Sequence, residues 1–128
     1  HFGSEYSDSG QMITVYSAQK SRILTSTNDN LSSSQEAAEG KIFVTIDAQI
    51  KNTGAERITF FPHRFRIVDS DGNRFEKEPY HGTGWLMACQ LDKDQYRRGK
   101  MVFEVPENTK NLFLYYDLNG RQLSWEIT

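Results

Sequence analysis

Apolar and polar residues alternate along most of this chain with a period of two, the signature of strands that bury one face. Between Ile42 and Ile50, the residues Ile42, Val44, Ile46, Ala48 and Ile50 fall on one side and Phe43, Thr45, Asp47 and Gln49 on the other. Asn52-Thr53-Gly54 ends that run with turn-forming residues, and an extended run follows at Arg57 to Phe61, so the pair reads as a hairpin. Pro62 blocks ladder pairing. Beyond it Phe65 and Ile67 point one way and Arg64, Arg66 and Val68 the other, which predicts a strand with one wet face. Asp69-Ser70-Asp71-Gly72-Asn73 turns this strand into a short one at Arg74 to Glu76.

The same grammar recurs toward the end. Met101, Phe103 and Val105 alternate with Val102 and Glu104 until Pro106 closes the run. Leu112, Leu114 and Tyr116 alternate with Phe113, Tyr115 and Asp117, and Leu123, Trp125 and Ile127 with Gln122, Ser124 and Glu126. Asn119-Gly120 between them predicts a C-terminal hairpin. Met12 to Tyr16 reads as a first strand whose inward parity is open. No stretch of a dozen residues carries a helical stripe, so the expected fold is all-β, an antiparallel sandwich of about seven to nine strands. Its core is expected to hold Ile42, Val44, Ile46, Ile50, Ile58, Phe65, Ile67, Phe103, Val105, Leu112, Leu114, Leu123 and Trp125.

Two stretches escape this reading. Thr25 to Gln35 has Leu31 as its one apolar residue, and residues 25–39 are expected as a mobile polar loop, with Ser33 and Glu36 able to cap a single helical turn. From Pro79 to Asp94, Gly82 and Gly84 flank Trp85-Leu86-Met87-Ala88, a patch whose strand or loop character the pattern leaves open.

Composition narrows the class further. At 128 residues, 37% hydrophobic and 25% charged, the chain has room for one core. Residues 1–10 are read as a disordered or appended segment and 11–128 as the domain. The chain opens at His1 rather than methionine, so its native start is expected to have been removed or replaced. Cys89 alone excludes an internal disulfide framework and paired-cysteine zinc sites. No apolar run approaches the ~20 residues of a membrane helix. With 15 basic and 17 acidic residues, no net field favours nucleic acid.

Read in order, Gly40-Lys41-Ile42-Phe43-Val44, Lys51-Asn52-Thr53-Gly54, Phe65 to Val68 with Asp69-Ser70-Asp71-Gly72-Asn73, and Val102-Phe103-Glu104-Val105-Pro106-Glu107 resemble a prokaryotic family. It is the domain of unknown function of bacterial and archaeal lipoproteins and secreted proteins, with an immunoglobulin-like sandwich similar to that of a mycobacterial secreted antigen. The likeness runs from about Met12 to Ile127. Where members often carry Pro-Gly, this chain has Tyr96-Arg97-Arg98-Gly99, keeping the glycine without the proline. The resemblance implies an extracytoplasmic module, membrane-anchored through an N-terminal lipid or signal-anchor or else secreted. It implies no activity and transfers no site residue.

Candidate chemistry therefore rests on the residues themselves. Asp69, Asp71 and Asn73 are spaced as a calcium loop begins, but Tyr80 stands where its bidentate Glu belongs, and a tight turn explains the same residues. His63 and His81 with Glu76 or Glu78 make a metal triad on paper. Surface or loop-packing roles are the plainer reading. Cys89, beside Met87 and Ala88, looks like a small hydrophobe, and neither Gly40-Lys41 nor Gly99-Lys100 opens a phosphate loop. Arg57, Arg64, Arg66 and Arg74 form either a basic stripe for an acidic partner or a solvated face neutralised by Asp47, Glu76 and Glu78. Phe43, Phe61, Phe113 and Tyr115, on the parity opposite the core, cover a second apolar face or pack beneath the polar loop. Asn30-Leu31-Ser32 matches a glycosylation acceptor.

The expectation is a non-enzymatic cell-envelope binding or accessory module with no cofactor, catalytic residue or metal, and no assigned ligand-binding residue. Its partner would be an envelope protein or glycan and not nucleic acid, with membrane contact only through an absent N-terminal anchor. A structural spacer, or a metal-dependent hydrolase using His63 and His81, are the alternatives.

Overall fold

Alternation becomes pairing in the computed structural model, which describes residues 5–8, 10–28, 31–76, 85–109, 111–118 and 121–127. The chain runs through β1 (Glu5–Asp8), β2 (Gln11–Ser21), β3 (Ile23–Asn28), β4 (Leu31–Glu36), β5 (Lys41–Asn52) and β6 (Ile58–Phe60). One 3-10 turn at Pro62–Arg64 leads into β7 (Phe65–Val68), β8 (Arg74–Glu76), β9 (Cys89–Leu91), β10 (Tyr96–Pro106), β11 (Phe113–Leu118) and β12 (Arg121–Glu126). Two four-stranded antiparallel sheets make the sandwich, one in the order β1-β2-β5-β10 and the other β12-β11-β7-β8. Neighbours β5 and β10 of the first sheet are separated along the chain by β7 and β8 of the second, to which β11 then returns. Such crossovers are the Greek-key connections of an immunoglobulin-like sandwich.

The expected core lies between the sheets. Val44, Ile46, Ala48 and Ile50 of β5 are fully buried, and Met101, Phe103 and Val105 sit in register with Ile46, Val44 and Ile42. Phe65, Ile67, Leu114, Tyr116, Leu123 and Trp125 close on them from the second sheet. Each such side chain contributes about 1.5–3 kcal/mol by leaving water. Ile42 and Ile58 are only half-buried at its margin. On β2 the inward parity is that of Ile13 and Val15, after which a bulge leaves Tyr16 unpaired.

Several expectations are corrected. The Arg57 to Phe61 run does not form a hairpin with β5, both of whose edges are occupied, by β2 and β10. Instead β6 pairs with β9 from Ile58↔Leu91 to Phe60↔Cys89. Fully buried Asn52 steers the chain away: its Nδ2 donates to Glu56 O at 2.7 Å and to Leu91 O at 2.8 Å, while Oδ1 accepts from Gly54 N at 2.9 Å. The polar stretch expected as a loop is instead the hairpin β3–β4, paired from Ile23↔Glu36 to Asn28↔Leu31, and it holds no helical turn. Backbone hydrogen bonding suffices there without an apolar stripe. Arg22 anchors its base through Glu107 at 3.3 Å and Lys41 O at 3.2 Å. Within residues 1–10, β1 pairs with β2 from Glu5↔Thr14 to Asp8↔Gln11.

Phe43, on the outward parity of β5, is buried in a small second cluster with Ala37 and Val102, with Trp85 packed against it. This is the packing beneath the polar segment that the opposite-parity aromatics allowed for. Trp85 also forms a parallel bridge to Lys100, and Leu86 N donates to Lys100 O at 2.8 Å. Gly99 makes that approach possible, because a Cβ there would lie 2.7 Å from Leu86 N and 2.9 Å from Trp85 C.

Candidate functional site

Three surface regions gather polar side chains. At one end of the sandwich a cleft of about 550 Å³ opens between the β7–β8 turn and the β10–β11 connection, lined by Asp69, Asp71, Asn73, Asn108, Thr109 and Asn111 among others. The three calcium-spaced residues therefore meet, but Asp69 is turned onto its own loop. Its Oδ1 accepts from Asp71 N at 3.0 Å and Asn73 N at 2.9 Å, and its Oδ2 accepts from Asn73 Nδ2 at 3.0 Å. These bonds, that of the Asn73 side chain foremost, hold the Asp69 carboxyl below its ordinary pKa against the opposing effect of burial. The arrangement is that of an Asx turn locking the β7–β8 connection.

His63 is exposed on the 3-10 turn, its ring 5.4 Å from that of Phe61, and the Arg64 guanidinium lies 5.7 Å from the centroid of the same Phe61 ring. His81 and Glu78 fall outside the described residues, as does Asn30 of the glycosylation triplet. Among the described residues no group of three or more His, Cys, Asp or Glu is placed to hold a metal ion. Cys89 is half-buried on β9 and packs against the main core.

The expected arginine stripe is not a single open surface. Arg57 pairs with Asp92 at 2.7 Å. Arg66, outward by parity, has a side chain only 9% exposed, paired with Asp117 and lying 5.6 Å over the Tyr115 ring. Its Nε has no partner among the described residues. Parity chose the face correctly, but neighbouring side chains cover that face.

The outer face of the first sheet is organised differently. Register places Tyr96, Arg98 and Lys100 of β10 beside Lys51, Gln49 and Asp47 of β5. Across β5, the bulge on β2 delivers Tyr16. Arg98 reaches Asp47 with two hydrogen bonds, Nε to Oδ1 at 3.2 Å and Nη2 to Oδ2 at 3.0 Å. Its guanidinium lies 3.8 Å from the Tyr16 ring centroid, a close cation–π contact. The hydrogen bonds that Arg98 donates to Asp47 hold its pKa above the ordinary value, against a smaller opposing effect of desolvation. Tyr96 is 62% exposed and Tyr16 38%. A second cleft of about 360 Å³, lined by Gln90, Leu91, Asp94, Gln95, Tyr96 and Arg97, adjoins this face.

A family model described as "Domain of unknown function (DUF4352)" matches residues 2–122. The chain belongs to this family. No curated protein matches the DUF4352 chain in sequence. Among solved structures, it is similar to an uncharacterized β-sandwich protein from Clostridium difficile 630, at 16% identity and a TM-score of 0.66, covering 100% of this chain and 92% of that one. It is also similar to the candidate lipoprotein YcdA of Bacillus subtilis, at 15% identity and a TM-score of 0.71, covering 96% of this chain and 38% of that one. A third similar structure is MPT63, a secreted protein from Mycobacterium tuberculosis, at 14% identity and a TM-score of 0.70, covering 98% and 93% respectively. These likenesses show the β-sandwich fold of the DUF4352 domain.

Sequence reasoning missed the Tyr16, Asp47 and Arg98 cluster of this DUF4352 domain. Asp47 was legible as a charge on the outward parity of β5. Nothing local shows that a bulge 31 positions earlier and an arginine 51 positions later meet it.

Proposed function

We propose that this DUF4352 domain is a non-enzymatic extracytoplasmic accessory module that binds an envelope component through a preformed surface on its sandwich. The observation that carries the reading is the outer face of the first sheet, where Asp47 fixes Arg98 over Tyr16 while Tyr96 stands 62% exposed beside them. Held side chains lose little entropy on binding, so a rigid aromatic and polar face suits recognition. Similarity to a candidate lipoprotein and to a secreted protein supports an extracytoplasmic setting. Expected partners are an envelope protein or glycan.

Capture from a prokaryotic envelope extract on the immobilised domain tests the reading, run beside a panel of hydrolase substrates. Specific capture without turnover supports it. Turnover abolished by His63→Ala or His81→Ala, with no capture, replaces it with the metal-dependent hydrolase.

A further inference from the structure

Resting on the binding reading above, we infer that the outer face of the first sheet takes an anionic glycan, whose acidic groups meet Lys51, Arg98 and Lys100 and whose sugar rings lie against Tyr96, with Tyr16 backing Arg98. The register sets this geometry. Lys51 stands opposite Tyr96, Gln49 opposite Arg98 and Asp47 opposite Lys100, so three cations and an exposed aromatic share one face of two paired strands. Residues two apart on a strand are about 6.6–6.8 Å apart, so the row Tyr96, Arg98, Lys100 presents its groups along a line. Among the described residues of this patch Asp47 is the acid, and it is already bound by Arg98 through Nε and Nη2, while the Arg98 side chain stays 49% exposed. The local excess of positive charge contrasts with the formal net charge of -2 for the whole chain, and such an excess draws an anion to this face rather than elsewhere.

A charged sheet face is ordinarily only solvated, but here two large aromatics are kept in water beside the cations. Tyr96 is 62% exposed, and the β-bulge after Val15 turns Tyr16 out onto Arg98 instead of into the core. Aromatic faces pack against the C–H faces of sugar rings, while cations pair with carboxylate, sulfate or phosphate substituents. Together they recognise a sugar chain bearing acidic groups better than they recognise either a neutral glycan or a simple anion.

The test measures binding of the intact chain to polygalacturonate, dextran sulfate and neutral dextran at low salt, together with vesicles of phosphatidylglycerol in phosphatidylcholine. Binding to one or both acidic polymers and not to dextran is expected, with the preferred polymer distinguishing carboxylate from sulfate recognition. Lys51→Gln/Lys100→Gln, two changes on the solvent side that spare the core, should weaken it by about tenfold or more, and Tyr96→Ala should weaken it further. Arg74→Gln, on the second sheet, should leave it unchanged. The inference is overturned by no binding to either acidic polymer, by equal binding to dextran, by equal loss in Arg74→Gln, or by binding confined to the vesicles. If envelope capture persists in Lys51→Gln/Lys100→Gln, the glycan assignment fails and the binding reading stands; if neither envelope nor polymer is bound, both fail.

Discussion

The Tyr116 hydroxyl donates a 3.1 Å hydrogen bond to Gln11 Oε1, and both side chains are buried. The bond ties β11 of one sheet to β2 of the other across 105 positions of sequence. Tyr116→Phe keeps the ring against Phe65, 4.6 Å away, but strands the Gln11 acceptor. A loss of about 1–2 kcal/mol in urea unfolding is expected. Burial raises the Tyr116 pKa while the Arg64 charge lowers it less, so the folded value lies above the unfolded one. The associated stability is complete below the ordinary phenol value of about 10 and is lost as pH rises through the folded value. Tyr116→Phe should lack that alkaline loss, so the gap between the two proteins should narrow in alkali.

Asn52 offers a second test. Asn52→Ala removes the donor to the Glu56 and Leu91 carbonyls and the acceptor for Gly54 N at a fully buried position. The expected cost is about 1–3 kcal/mol, because the buried Leu91 carbonyl loses a partner that water cannot replace. Asn52→Asp should not rescue it, since a carboxylate cannot donate to two carbonyls. Chemical denaturation of the three proteins checks both statements.

How much of this was legible depends on where the information lies. Strands β5, β10, β11 and β12 were readable because each buries an apolar row from Val44 or its equivalents, and burial forces the period of two. The β3–β4 hairpin was not readable, because Thr25, Ser26 and Thr27 pair with Ser34, Ser33 and Ser32 through backbone groups that carry no side-chain signature. The pairing of β6 with β9 was hidden because it depends on which edge is free after β2 and β10 have taken both sides of β5. Arg66 shows that parity gives a side chain its face without saying what covers it. The binding-face candidate was half readable, through Asp47 and Gln49 on one parity, while the bulge that delivers Tyr16 left no mark in the pattern.

Gly99 is predicted to be intolerant of any side chain. A Cβ would meet Leu86 N, Leu86 Cα and Trp85 C, all backbone atoms, at 2.7, 2.8 and 2.9 Å. Gly99→Ala should cost about 1–3 kcal/mol through displacement of the Trp85-Leu86 segment. Trp fluorescence should shift in the folded state of this variant, reporting movement of Trp85 from Phe43 and Val102.

Asp69 makes the β7–β8 turn pH-sensitive in the acid range. Its folded pKa is lowered, by the Asn73 side chain first, so its contribution is present above the unfolded value of about 3.9 and is lost as pH falls through the folded value. Asp69→Ala should lower Tm at neutral pH. The difference from the parent should shrink as pH drops below that range, as scanning calorimetry across the acid limb can show.

Quantitative capture from envelope extract, comparing the parent with Tyr16→Ala/Lys51→Gln/Lys100→Gln, tests the binding role most directly. The account predicts a discrete set of captured components, lost in the variant while its melting cooperativity persists, and no turnover of hydrolase substrates. Identical capture by parent and variant would contradict the assigned face, and no capture combined with His63-dependent hydrolysis would contradict the binding role itself.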